Sequence, residues 1–171
     1  DWQARWIGAN AATRPDCDLA GAQWIWTGDA PSLGQAAQGV RHYRKVFDAP
    51  RGAQDAPVEL ALTADDEYEV FINGKSAAKT WGHFNEWRWM RFHDVAPLIK
   101  PGRNLIAVTV KNKEPGPTAL LAVLKFADGK AVPTDTTWST SAQAVKGWKE
   151  QVDGFAHDAW KAAVIAGPVD G

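Results

Sequence analysis

The chain has 171 residues, with 19 Lys plus Arg against 20 Asp plus Glu and a formal net charge of −1. That length suits one domain around a single buried core, and the dispersed, balanced charge excludes the basic footprint that nucleic-acid binding needs. No apolar run approaches the ~20 residues of a membrane span and no charged, apolar, small-residue leader opens the sequence, so the chain reads as a mature protein or as a piece of a longer one. Its lone cysteine, Cys17, rules out an internal disulfide.

In chain order, short apolar alternations dominate and helical periods are rare. Residues 2–7 and 23–26 read as edge strands, and 28–38, rich in Ala, Gly and Gln, as an exposed loop. Residues 39–47, carrying Val40, Tyr43, Val46 and Phe47, predict a longer strand. The cleanest two-residue period is 58–63, where Val58, Leu60 and Leu62 face one way. In 68–72, Tyr68, Val70 and Ile72 alternate with Glu69 and Phe71, and Asn73-Gly74 supplies the positive φ values of a tight hairpin turn. Residues 95–99 suit a single helical turn, and the aliphatic run 105–110 a packed strand. Residues 119–126 form another, closed by the turn signal Asp128-Gly129, and 137–140 a short one before an irregular tail. No repeat or linker divides the chain, so residues 1–171 read as one all-β sandwich domain.

Two features carry chemistry. Asp65-Asp66 stands just before the strand at 68–72, and Asn112 just after the strand at 105–110. If those ends lie side by side at one rim, several oxygen ligands converge. The bland reading of each is a turn residue bonding its own backbone. Glu67 follows the pair, but its place at a strand start predicts solvent exposure. The second feature is the segment 80–90, with Trp81, His83, Asn85, Glu86, Trp87, Arg88 and Trp89. An indole stacks on the C–H face of a sugar while Asn, Glu and Arg bond its hydroxyls, and apolar walls with a few placed polar groups make a small-ligand site. If the segment is extended, Trp87 and Trp89 share a face and Arg88 points away. Trp89 is the preferred platform, then Trp87, then Trp81. The alternative is that these rings cover the sandwich, as expected of Trp2, Trp6, Trp24, Trp26, Trp138, Trp148 and Trp160.

Catalysis has little support. Glycosidases set two carboxyl groups roughly 5–9.5 Å apart across a sugar, whereas adjacent carboxylates on one loop are better suited to holding a cation. No nucleophile elbow, phosphate loop or zinc spacing is present, and His42, His83, His93 and His157 are scattered.

The order Trp-x-Ala-x-Trp-Ile from Trp2, the strand His42-Tyr-Arg-Lys-Val-Phe47, Ala64-Asp-Asp-x-Tyr-x-Val-Phe-Ile-Asn-Gly74, Asp94-Val95, Gly102-Arg-Asn-x-Ile-Ala-Val108, Thr134-Asp-x-x-Trp138 and Trp160-Lys-Ala162 resembles the galactose-binding-like jelly-roll modules attached to bacterial α-L-rhamnosidases. The likeness spans nearly the whole chain. The Asn-Gly hairpin and the Gly-x-Asn-x-Ile-Ala-Val strand are shared with sugar-binding domains of β-galactosidase-type enzymes, while the Thr-Asp-x-x-Trp and terminal Trp elements favour the rhamnosidase type. For the rhamnose-binding members, the resemblance implies a calcium ion at the rim that touches vicinal sugar hydroxyls. Carried over residue by residue, it implies Asp65, Asp66 and Asn112 as ligands, with Pro117 as a carbonyl donor. Calcium takes six to eight hard oxygen ligands, which such a set leaves room for a sugar to complete. Members of that group often carry Asn at the second position, so Asp66 adds one negative charge here.

The expected function is therefore a non-catalytic, secreted or periplasmic bacterial module that binds terminal L-rhamnose, or a galactose- or fucose-like sugar, in polysaccharide with calcium beside a catalytic domain. Two rivals remain: a structural module that only packs on its neighbour, and a small glycan-modifying enzyme.

Overall fold

The computed structural model of the protein describes residues 19–80 and 86–167, so Trp2, Trp6, Cys17, Trp81, His83 and Asn85 lie outside the described residues. The described residues form β1 (Trp24–Trp26), β2 (Gly39–Ala49), β3 (Val58–Asp65), β4 (Glu67–Ile72), β5 (Lys75–Lys79), β6 (Arg91–Asp94), β7 (Gly102–Asn112), β8 (Ala119–Phe126), β9 (Ala131–Pro133), β10 (Ser139–Ser141), β11 (Lys161–Ala162) and β12 (Val164–Gly167). Every pairing is antiparallel. One sheet runs β12-β1-β8-β3-β6 with β9 beside β8, and the other runs β11-β10-β2-β7-β4-β5.

The two-residue period of the sequence becomes the core between the sheets. Leu60, Leu62 and Ala64 of β3 and Leu120, Ala122 and Leu124 of β8 meet Tyr43 of β2, Val70 and Ile72 of β4, and Ile106, Val108 and Val110 of β7. Each such aliphatic side chain contributes about 1.5–3 kcal/mol when it leaves water. Asn73 and Gly74, with φ of 51° and 83°, make the tight turn between β4 and β5. Asn73 does more than turn: its Nδ2 donates to the Leu98 carbonyl (3.0 Å) and to Asn104 Oδ1 (2.8 Å), while its Oδ1 accepts from Leu105 N (3.0 Å). That network closes the end of the sandwich opposite the acidic pair.

The outer faces are covered as well. Trp24, Ala61, Leu121 and Val123 form a second cluster outside the first sheet, with Trp87, Met90 and Phe92 packed on it. Outside the second sheet, Phe71, Leu105, Ala107 and Trp148 are joined by Phe155 and Trp160 from the C-terminal wrap. Trp148 stacks on Trp160 at 6.0 Å, and Arg44 lies 3.8 Å over the Phe155 ring. Trp24, Trp26, Trp138, Trp148 and Trp160 thus all pack, as expected.

Some elements depart from the expectation. Residues 23–26 are not an edge, because β1 lies between β12 and β8 with all three of its residues buried. The edges of the two sheets are β12 and β6, and β11 and β5; of these, β5 and β6 escaped the periodicity because their side chains are largely left to solvent. Residues 95–99 contain the 3-10 turn Ala96–Leu98, with Pro97 in its first turn, as the single-turn reading anticipated.

The wrap has an electrostatic consequence. His42 is buried against the Trp148 ring (4.6 Å), its Nδ1 lies 3.3 Å from Thr109 Oγ1, and burial pushes its pKa from 6.5 down to about 4. Between those values the unfolded chain binds a proton that the folded chain does not, so stability falls as pH drops from about 6.5 to 4. Other groups titrate in the same window, so the His42 contribution is read as a difference: in urea unfolding, going from pH 7 to pH 5 should be less favourable to the wild type than to His42→Gln, and the same change in both would refute the assignment.

Candidate functional site

One rim gathers the candidate residues, and the ladders put them there. The β3–β8 ladder ends at Asp65 opposite Ala119, and the β2–β7 ladder ends at Asn112 opposite Gly39. Between Asp65 and Glu67 the chain leaves the first sheet and enters the second, with Asp66 alone at the crossing. Asp66 is fixed on both sides: its N–H donates to the Lys111 carbonyl (3.2 Å), and its Oδ2 accepts from Lys113 N (2.8 Å). Thr118 Oγ1 donates to the Asp65 carbonyl (3.2 Å), so the segment holding Pro117 is tied to the same crossing.

Asp65 is only 8% exposed. Burial first, then the hydrogen bond with the Asp66 carboxyl and its negative charge, push the Asp65 pKa from 3.8 up to about 8. Carboxyl groups on adjacent residues, each bearing on the other's charge, are poorly placed to face one another across a glycosidic bond, which needs about 5 Å or more between them. They are suited instead to sharing a proton or a cation. Asn112, 2% exposed, donates through Nδ2 to the Ala37 carbonyl (3.2 Å) and weakly towards that of Gly116 (3.5 Å). With its nitrogen engaged, the amide oxygen is the atom left to serve as a ligand. Among the described residues no group of three or more His, Cys, Asp or Glu side chains is placed to hold a metal. A cation at this rim would need the amide and main-chain carbonyls in addition to the two carboxylates.

The expectation for Glu67 was solvent exposure, and it is corrected: Glu67 is 7% exposed and lies 3.2 Å from Lys113 Nζ and 3.8 Å from Lys111 Nζ. It does face outward from β4, but the two lysines of β7 and its following loop cover it. Beside it a cleft of about 120 Å³ opens between Val40, Glu69, Lys79 and Thr109. Enclosed ligand pockets run to roughly 300–1,000 Å³, so this cleft is too small to enclose a ligand of that class.

Of the aromatic segment, residues 86–90 lead into β6. β6 pairs Arg91 with Leu62, which carries the preceding residues towards the Asp65 end of β3. Residues Glu86–Arg88 form a 3-10 turn, not extended chain, so Trp87 and Trp89 do not share a face. Trp87 packs on the outer cluster of the first sheet, with the Arg88 guanidinium 5.0 Å over its ring. Trp89 is 48% exposed.

The sequence reading missed the framework around Asn112. Arg41, 4% exposed, donates through Nε and Nη2 to Asp29 Oδ2 (3.2 and 3.0 Å) and through Nη1 to the Ala37 carbonyl (2.6 Å). Burial raises the Asp29 pKa, but the Thr27 hydroxyl and the Arg41 charge outweigh it and hold the carboxyl below its usual value. The signal was available: Arg41 is in phase with Tyr43 on β2, so an arginine was aimed inward and needed a partner.

The family described as the beta-galactosidase second all-beta domain matches residues 3–115. An α-L-rhamnosidase of Streptomyces avermitilis is 32% identical over 96% of this chain, which spans 16% of that protein's length. The crystal structure of Streptomyces avermitilis α-L-rhamnosidase complexed with L-rhamnose superposes with a TM-score of 0.77 at 28% identity, over 98% of this chain and 16% of that one. A lectin from Pleurotus ostreatus in complex with GalNAc gives 0.67 at 25% identity, over 88% and 44%. Two antiparallel sheets and these likenesses agree: the chain belongs to the family of beta-galactosidase second all-beta domains and is homologous to a part of an α-L-rhamnosidase.

Proposed function

We propose that this chain is a non-catalytic carbohydrate-binding module that takes a terminal L-rhamnose, or a similarly configured sugar, at the Asp65–Asp66–Asn112 rim with the help of one Ca²⁺. The observation that carries the reading is the pair of adjacent acidic residues fixed at the sheet crossing, beside an amide whose nitrogen is already bonded. Calcium is the hard cation such oxygens select, and when bound it would offer open coordination positions to sugar hydroxyls. Asp65, Asp66 and Asn112 would hold it, with the Pro117 carbonyl on the tied loop as a further donor. The half-exposed Trp89 offers an indole face to the apolar side of the ring. Support also comes from relatives: one is a rhamnosidase complexed with L-rhamnose, another a lectin complexed with GalNAc. A polysaccharide ligand would be met outside the cytoplasm, and a neighbouring catalytic domain is supported by the larger relatives of which the chain matches a part.

The span of 16% of the rhamnosidase favours a second reading, in which this domain only packs on its neighbour. Binding assays on the chain separate the two. It should retard in a gel containing rhamnose-bearing polysaccharide when calcium is present and leave p-nitrophenyl α-L-rhamnoside intact. No retardation on rhamnose-, galactose- or fucose-bearing polymers would favour the packing role, and hydrolysis by a clean preparation would revive an enzyme.

The cation has its own signature. A ligand bound only by the folded chain adds about 2.7 kcal/mol at a hundredfold excess over Kd. In chelator, the raised Asp65 pKa means that the folded chain holds a proton the unfolded chain has lost, a contribution full below pH 3.8 and gone once pH rises through about 8. Calcium should therefore raise the melting temperature more at pH 8.5 than at pH 5, and Asp65→Asn should abolish the increment. Melting curves insensitive to calcium and chelator at both pH values would remove the ion from the account.

The platform is tested by truncation. An open rim with one stacked ring should bind a monosaccharide at about −4 to −6 kcal/mol, in the high-micromolar to millimolar range. Trp89→Ala should weaken this about tenfold while changing stability by no more than about 0.5 kcal/mol. Trp148→Ala, which opens a buried site, should cost about 3–5 kcal/mol of stability. Unchanged sugar affinity in Trp89→Ala would rule out that ring.

A further inference from the structure

The loop 28–38 is mostly exposed, yet it is strapped to the loop that follows Asn112. Gly116 N donates to the Ala36 carbonyl (2.9 Å), Gln38 Nε2 to the Lys113 carbonyl (2.8 Å), and Asn112 Nδ2 to the Ala37 carbonyl (3.2 Å). The Ala37 carbonyl therefore accepts from two side chains, Asn112 and Arg41, and Arg41 is in turn forked onto Asp29 at the start of the same loop. A guanidinium is the one side chain that can satisfy a carboxylate and a carbonyl at once in fixed geometry.

We propose that Arg41 and Asp29 are positioning residues for the rim: through the Ala37 carbonyl they fix which way the Asn112 amide is turned, presenting its oxygen, not its nitrogen, to a cation held by Asp65 and Asp66. This rests on the cation reading given above. An Asn side chain released from that carbonyl could turn its NH₂ towards the ion, and an NH₂ group is no ligand for a hard cation. Neither Arg41 nor Asp29 needs to touch the ion. Their effect travels through one carbonyl and one amide, as outer-shell partners orient metal ligands elsewhere.

The test is calcium titration calorimetry on the whole chain, paired with melting in chelator. Asp29→Asn and Arg41→Gln should weaken calcium binding about tenfold or more, the usual effect of losing an outer-shell partner. Asp29→Asn, at the more exposed end of the pair, should also leave the chelated protein's melting transition close to that of the wild type. Should Arg41→Gln fail to fold, Asp29→Asn and Gln38→Ala decide the matter, the latter loosening the loop while leaving the Arg41 fork intact and so weakening calcium less. Wild-type affinity in Asp29→Asn, or a loss fully matched by a lower melting temperature in chelator, overturns the positioning role while leaving the cation site standing. A wild type that binds no calcium overturns both.

Discussion

The antiparallel ladder between β2 and β7 is the constraint on which the rest depends. Eleven residues of each strand pair without interruption, from Ala49 opposite Gly102 to Gly39 opposite Asn112. A one-residue slip would turn every inward side chain of a strand to the outside, so the core set of Tyr43, Ile106, Val108 and Val110 locks this register. At the far end of the ladder the register delivers Asn104 to the network that closes one rim. At the near end it delivers Asn112 next to the crossing where Asp66 bonds Lys111 and Lys113. The apolar core thus decides the position of three polar residues that contribute nothing to it.

That rim is built against the ordinary economy of folding. A buried carboxyl next to another is unfavourable when both are charged, and the cost appears as the raised pKa of Asp65. Single Asp65 or Asp66 turns would have needed no such juxtaposition. Elsewhere among the described residues, Arg41 meets Asp29, Glu67 meets Lys111 and Lys113, and the buried Arg44 donates to the Gln151 carbonyl and lies over the Phe155 ring. At the acidic crossing two like charges are adjacent, and the proposed calcium ion gives that a physical reason.

Much of the fold was legible because central strands must be apolar on schedule. The run at 119–126 coincides with β8, and the alternation at 58–63 lies within β3. β5 and β6 carry only weak apolar alternation since one flank of each meets solvent, and β11 and β12 are too short to show a period. The C-terminal wrap is held by single aromatic anchors such as Trp148 and Phe155, whose spacing follows no period. At the rim, Asp65, Asp66 and Asn112 could be singled out because they end strong strands. Asp29 could not be matched to Arg41, since nothing in a twelve-residue separation across a loop announces a contact. The 3-10 turn at Glu86–Arg88 likewise overrode an extended reading, and with it the shared face of Trp87 and Trp89.

The most direct test of the central claim is diffraction from crystals grown with calcium and L-rhamnose, recorded at a wavelength where calcium scatters anomalously. The account predicts one strong anomalous peak between the carboxyl groups of Asp65 and Asp66 and the amide oxygen of Asn112, at 2.3–2.6 Å from its ligands, with sugar hydroxyls completing the shell and the Trp89 ring alongside. A rim without a peak, or an ion lodged elsewhere with the sugar bound away from Asp65, would contradict it.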